Sequence, residues 1–324
     1  MSETERTYAA DLAAIRAAAE RIAGLAHRTP VLTSSTMDAL SGRALFFKCE
    51  IFQRVGAFKF RGACNAVQKL DDATAARGVV THSSGNHAQA LALAAKLRGI
   101  PAHVVMPTSA PAIKREAVLG YGARVIPCEP TLAAREETAA RVVAETGGTL
   151  IPPYDHPDVI AGQGTIALEL LEDVPDLDAI VVPIGGGGMI SGIALAMREA
   201  APHVRVIAAE PAGADDAARS KRGGVLVPQT GPKTIADGLL TSLGALTWPV
   251  VRDVVERVVT VDEPAIARSM RLVFERMKLV VEPSAAVGVA VALSGELPPE
   301  LRRVAVVLCG GNVDLDRLPW LPPR

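Results

Sequence analysis

The sequence predicts an α/β protein in which helices wrap a mainly parallel sheet. Three observations lead there. Strand-like and helix-like stretches alternate along the chain. The 324 residues are 49% hydrophobic but only 3% aromatic, so the core must be built from Ala, Val, Leu and Ile, which suits a layered α/β fold. Residues 178–199 (DAIVVPIGGGGMISGIALAMRE) join an apolar run to a helical pattern through four glycines, Gly185, Gly186, Gly187 and Gly188. An apolar run bounded by glycine reads as a buried parallel strand.

The elements follow in order. The start, MSETERTYAADLAAIRAAAERI, has acids and no apolar signal core, so it is expected to be the first helix of a cytoplasmic protein. Residues 78–82 (GVVTH) predict a strand and 88–98 a helix. Residues 102–106 (AHVVM) are a strand, 112–119 a helix, 123–127 (ARVIP) a strand and 131–145 a helix. This βαβαβα block, residues 70–150, is expected to be a small domain, leaving 1–69 and 151–324 for a large, discontinuous one. A helix is expected over 166–171, a strand over 180–184 with the glycine-linked helix after it, and strands over 204–209 and 304–308. Residues 219–233, with RGG, Pro228 and GP, read as a long irregular loop of the kind that is often functional.

Charge and cysteine usage exclude several classes. A formal net charge of −1 supplies no field for nucleic acid or an anionic membrane surface. Apolar stretches such as 287–293 are too short to span a bilayer. Cys49, Cys64, Cys128 and Cys309 lack metal-site spacing and are expected to be reduced thiols.

Five groups of residues could carry chemistry. The tetraglycine turn, between a strand and a helix N-terminus, lets backbone N–H groups approach a phosphate while the helix dipole favours negative charge. A dinucleotide fold is the competing reading, with Glu210 at about the right distance for a ribose acid. No window satisfies GxGxxG, because the third position is Ser191. Ser83, Ser84, Gly85, Asn86 and His87 form a second strand–turn–helix junction whose amides could hold a carboxylate, although an ordinary N-cap is the simpler local reading. Lys59, between Phe58 and Phe60 in GAFKFRG, could have a depressed pKa and act as nucleophile or base; the plain alternative is a surface lysine. Glu210, Asp215 and Asp216 cluster after a strand, where oxygen ligands suit a hard cation; locally, helix capping by Asp215 or Asp216 is the better reading. Cys309 ends an apolar strand, either as a buried thiol or as a polar tip facing a ligand.

Together GAFKFRGACNA, THSSGNHAQAL, PIGGGGMISG, EPAGADD, TIADGL, ERMKLVVEPSAAV and CGGNVDL resemble, in family order over residues 27–314, the serine racemase and serine/threonine dehydratase family. The resemblance implies a fold type II, tryptophan-synthase-β-like enzyme with two open, mainly parallel sheets and pyridoxal 5′-phosphate as cofactor. It makes Lys59 the Schiff-base lysine and proton carrier. Phe58 would pack beside the ring, Asn86 would meet the ring 3′-oxygen, Gly185 to Gly188 would hold the 5′-phosphate, and Cys309 would face the pyridine nitrogen. Most relatives have Ser at that last position, and a thiol is a weak partner that leaves the ring a weaker electron sink. Residues 83–87 would bind the substrate α-carboxylate. Ser84 resembles the racemase serine that serves the face opposite the lysine, where biosynthetic threonine dehydratases commonly have Ala. Glu210, Asp216 and the Ala214 carbonyl resemble a Mg²⁺ or Ca²⁺ site, which reverses the local preference for capping.

The implied activity is L-serine and L-threonine dehydration to a 2-oxo acid and ammonia, with serine racemisation permitted. A 3-hydroxyaspartate dehydratase is the alternative. An NAD-dependent oxidoreductase is a remote one. For Arg135, contact with a second substrate carboxylate is weighed against a solvated helix charge, and the latter is preferred. A homodimer without a C-terminal regulatory domain is expected, with no nucleic-acid or membrane partner.

Overall fold

The computed structural model of the protein describes residues 8–83, 85–110 and 112–321. In chain order it runs α1 (Leu12–Ile22), β1 (Val31–Leu32), α2 (Ser35–Ser41), β2 (Ala44–Lys48), α3 (Lys59–Lys69), α4 (Asp72–Ala76) and β3 (Val79–His82). Next come α5 (Asn86–Arg98), β4 (Ala102–Pro107), α6 (Ala112–Gly120), β5 (Arg124–Cys128), α7 (Leu132–Thr146), β6 (Thr149–Leu150) and α8 (Pro157–Asp173). The chain continues through β7 (Ala179–Pro183), α9 (Gly188–Ala200), β8 (Arg205–Pro211), α10 (Asp216–Gly223), α11 (Trp248–Asp253), β9 (Arg257–Val261), α12 (Glu263–Leu272), α13 (Pro283–Leu293) and β10 (Arg303–Val307).

Two sheets result. One has the order β1-β2-β10-β7-β8-β9 and is parallel except where β1 meets β2. The other, β5-β4-β3-β6, is parallel throughout. Every strand of the second sheet lies within residues 70–150, and every strand of the first lies outside it. All five residues of β7 are buried, as a strand covered on both faces requires, so its sequence is a continuous apolar run rather than an alternation. Helix α13 is similarly enclosed, and Val287, Val289 and Val291 are inaccessible to solvent. Burying each such side chain stabilises the fold by about 1.5 kcal/mol or more. Helix α3 packs against both α5 and α8, so its first residue, Lys59, stands where the two sheets' helices meet.

Two elements differ from the sequence reading. Helix α8 starts at Pro157, nine residues before 166, with the His156 side chain accepting the Asp158 N–H. Gly162 and Gly164 lie inside it and allow helix contact. A Cβ on Gly162 would stand 2.6 Å from Gly62 Cα in α3, and one on Gly192 in α9 would stand 2.5 Å from the Gly164 nitrogen. The stretch 219–233 is helical up to Gly223, and only its remainder is irregular. Among the described residues no helix is long and apolar enough to cross a membrane.

Candidate active site

The carboxyl ends of β10, β7 and β8 lie side by side. This places the Cys309–Gly310–Gly311–Asn312 turn beside the tetraglycine turn, at the edge where open α/β sheets bind ligands. Several bonds tie the start of α3 to that turn. The Phe58 N–H donates to the Cys309 carbonyl (3.0 Å), and the Gly311 N–H to the Gly56 carbonyl (2.9 Å). Val55 is left-handed (φ 58°), a strained conformation for a β-branched residue, and its carbonyl accepts the Asn312 Nδ2 proton at 2.7 Å.

Lys59 lines this junction. Its Nζ donates to the Pro153 carbonyl (2.8 Å) and lies 4.9 Å from the Phe58 ring centroid. Burial lowers its pKa to about 8 against the opposing pull of negative charge nearby. Cys309 is 2% exposed, and burial holds its thiol well above the ordinary range, so it stays protonated. The negative charge near Lys59 therefore comes from Glu282, itself raised to about 7 by burial. Glu282 is 4% exposed, and Asn86 Nδ2 stands 3.1 Å from both of its carboxylate oxygens. Asn86 Oδ1 in turn accepts from Asn312 Nδ2 at 2.9 Å.

The tetraglycine turn has no room for side chains. A Cβ on Gly186 would lie 2.4 Å from the Tyr154 ring, one on Gly188 2.8 Å from Tyr154 Cβ, and one on Gly185 3.0 Å from Leu239 Cα. Gly187 has φ 85° and occupies the N-cap of α9, where no side chain caps the helix. The Gly186 carbonyl accepts from Thr247 Oγ1 at 2.8 Å. Uncapped amides at the start of a 13-residue helix suit an anion.

The second junction is similar. Gly85 occupies the N-cap of α5 without a side-chain cap bond, so the ordinary capping reading does not describe it. The Ser83 hydroxyl accepts the Gly85 N–H at 3.3 Å. Ser84 lies outside the described residues. The His87 side chain turns inward: its Nε2 meets the Ile151 carbonyl at 3.0 Å, and burial lowers its pKa to about 3, leaving it neutral.

Glu210 and Asp216 are each 1% exposed. Glu210 receives the Ala217 and Ala218 N–H groups, both at 2.8 Å, and so caps α10 from the end of β8. Asp215, at the N-cap position, makes no side-chain cap bond. Asp216 accepts the Leu243 N–H at 3.0 Å. Burial raises Glu210 to about 8 and Asp216 to about 6. Among the described residues no three His, Cys, Asp or Glu side chains are grouped to hold a metal.

Residues 22–310 match the family model described as pyridoxal-phosphate dependent enzyme. The chain belongs to that family. It is 54% identical over 323 residues to serine racemase of Arabidopsis thaliana, covering 98% of each chain. It is also 54% identical over 304 residues to beta-hydroxyaspartate dehydratase of Paracoccus denitrificans, covering 94% of this chain and 96% of that one. The structure of maize serine racemase superposes with a TM-score of 0.94 at 52% identity over 95% of each chain. The chain is therefore a fold type II pyridoxal-phosphate-dependent enzyme.

The residues fit that cofactor. A buried amine of lowered pKa, a side-chain-free helix N-terminus and a protonated thiol stand at neighbouring turns of one sheet edge, and they suit an aldehyde, a phosphate and a ring nitrogen respectively. Sequence reading missed Glu282, Tyr154 and the Pro153 carbonyl as members of this site. An acid interrupting the apolar run LVVEPSAAVGVAV was the available signal for Glu282.

Proposed function

We propose that the enzyme dehydrates L-serine and L-threonine to a 2-oxo acid and ammonia, and also interconverts serine enantiomers. The depressed Lys59 amine carries this reading, because a pKa of about 8 makes the neutral form that can take a Cα proton far more available near physiological pH than in an ordinary lysine. Bound pyridoxal phosphate supplies the electron sink that makes an amino acid's α-proton removable. Lys59 takes that proton from one face. Gly185 to Gly188 would hold the phosphate, Phe58 would flank the ring, Asn86 would meet its oxygen, and Cys309 would face its nitrogen without protonating it. The amides of residues 83–87 hold the substrate carboxylate at the start of α5. Ser84 delivers a proton to the other face, and this step separates racemisation from elimination.

A 3-hydroxyaspartate dehydratase is the second reading. Arg135 is half-buried, and its Nε is buried without a hydrogen-bond partner among the described residues. Burial lowers the pKa of His82, which immediately precedes Ser83, and the Arg135 charge adds to that in the same direction. A second substrate carboxylate would satisfy this guanidinium.

Glu210, Asp216 and the Ala214 carbonyl offer hard oxygen donors to Mg²⁺ or Ca²⁺, which would compensate two crowded buried carboxylates. Sheet membership supports residues 70–150 as a small domain set against 1–69 and 151–324. A cytoplasmic homodimer completes the reading.

A substrate panel of L-serine, D-serine, L-threonine and 3-hydroxyaspartate tests it, with 2-oxo acid release and chiral amino-acid analysis as readouts. Release from serine or threonine is expected, together with D-serine formation. Hydroxyaspartate turnover alone would transfer the assignment to the second reading. Lys59→Ala is expected to abolish both activities and the covalent fixation of the cofactor by borohydride. EDTA is expected to lower the melting temperature and Mg²⁺ or Ca²⁺ to restore it; no response would leave Glu210 as a helix cap alone.

A further inference from the structure

Glu282 is a buried acid that the proposed reaction does not employ. It sits at the N-cap of α13 but makes no side-chain cap bond. Its backbone N–H donates to the Gly310 carbonyl at 3.0 Å, and a Cβ on Gly310 would lie 2.5 Å from its Oε1. The carboxylate is thus held against the Cys309 turn and aimed at Asn86.

Hydrogen-bond bookkeeping fixes which way the Asn86 carboxamide points. Asn312 Nδ2 has two protons, and both are committed, one to the Val55 carbonyl and one to Asn86 Oδ1. Turning Asn86 over would oppose amide to amide at Asn312 and oxygen to oxygen at Glu282. Glu282 therefore receives one Asn86 Nδ2 proton, and among the described residues the other is uncommitted. We infer that Glu282 is a positioning residue: it orients the Asn86 carboxamide so that its second Nδ2 proton is free for the cofactor's ring oxygen, and it sets a negative charge on the Lys59 side of the site.

The groups facing Glu282 define its charge environment. They are Lys59 at the start of α3, Asn86 on α5, Cys309 and the Asn312 N–H on the β10 turn, and Asp237 and Lys114 further out. Lys114 on α6 pairs with Asp237 at 2.8 Å, which largely cancels their separate influences. Lys59 is the cation left for Glu282 to act on. A negative charge at this range favours the protonated form of a neighbouring nitrogen. Removing it moves that nitrogen's midpoint to lower pH.

The inference rests on the cofactor assignment above, and the test separates the two. Unsubstituted protein is expected to be yellow and to fix the cofactor with borohydride; failure there would sink the cofactor roles. In Glu282→Gln holoenzyme, the pH midpoint of the bound cofactor's visible absorbance should fall by about one unit, with borohydride fixation retained. Glu282→Ala should also weaken cofactor binding by about tenfold, read by absorbance titration, because Asn86 loses its orienting acceptor. A merely structural acid would lower the melting temperature without moving the midpoint. A Gln variant that is yellow with an unmoved midpoint would overturn the inference. Should neither variant fold, a cofactor-bound structure of the unsubstituted enzyme decides it. Asn86 Nδ2 between Glu282 and the ring oxygen supports the inference, and Asn86 released from Glu282 overturns it.

Discussion

Replacing Arg61 by Met should destabilise the enzyme through Glu50 in particular. Arg61 is 1% exposed and lies two residues beyond Lys59 on α3. Its Nε and Nη2 each meet a Glu50 carboxylate oxygen at 2.8 Å, and its Nη1 meets Glu169 at 2.6 Å. Glu169 would survive the substitution, because Lys48 Nζ also bonds it at 2.7 Å. Glu50 is fully buried, and the Thr29 hydroxyl, at 2.6 Å, is the side-chain donor it would keep. Leaving a buried charge uncompensated costs about 3–5 kcal/mol. An unfolding entropy of about 2.1 cal/mol/K per residue gives roughly 0.7 kcal/mol/K for 324 residues, so the melting temperature should fall by about 4–7 °C. Calorimetry reads this directly. Adding Glu50→Gln to Arg61→Met removes the stranded charge and should recover most of the loss. The reasoning fails if Arg61→Met costs no more than about 1 °C, as would suit an exposed pair such as Arg141–Glu145. It also fails if Glu50→Gln recovers nothing.

Gly186→Ala should weaken cofactor binding at least about tenfold in an absorbance titration, since its Cβ would meet the Tyr154 ring; Tyr154→Ala in the same chain should restore part of it. His87, neutral in the fold down to about pH 3, makes stability fall as pH drops below its unfolded pKa of about 6.5. Above that value neither state binds the proton, and between the two values only the unfolded state does. The slope is about 1.4 kcal/mol per pH unit, roughly 2 °C, and His87→Gln should flatten the melting-temperature profile between about pH 6 and 4. Ser84→Ala should lose racemisation in a chiral assay while largely keeping 2-oxo acid release from L-serine; equal loss of both would remove Ser84 from its assigned face.

The alternation of apolar runs and helical patterns placed most central elements to within a few residues, including β3, α5, β4, α7, β7, α9 and β10. That was legible because buried parallel strands are continuously apolar and their connecting helices keep a 3.6-residue period. The short β1 and β6, two residues each, carry too few positions for any periodicity. The start of α8 was hidden because helix-contact glycines and breaker glycines are the same residue type.

By itself the sequence determined the order of the layers, the strand–glycine–helix turn, and a run of motifs specific enough to point to a pyridoxal-phosphate enzyme. Only the tertiary structure decided what surrounds each motif. It brought Glu282, from the start of α13, onto Asn86 of α5, 196 residues away. It made Glu210, rather than either neighbouring aspartate, the cap of α10. The physical reason is common to both. A pKa or a hydrogen-bond partner depends on desolvation and on charges within a few ångströms, and those distances are set when the two sheets and their helices pack together.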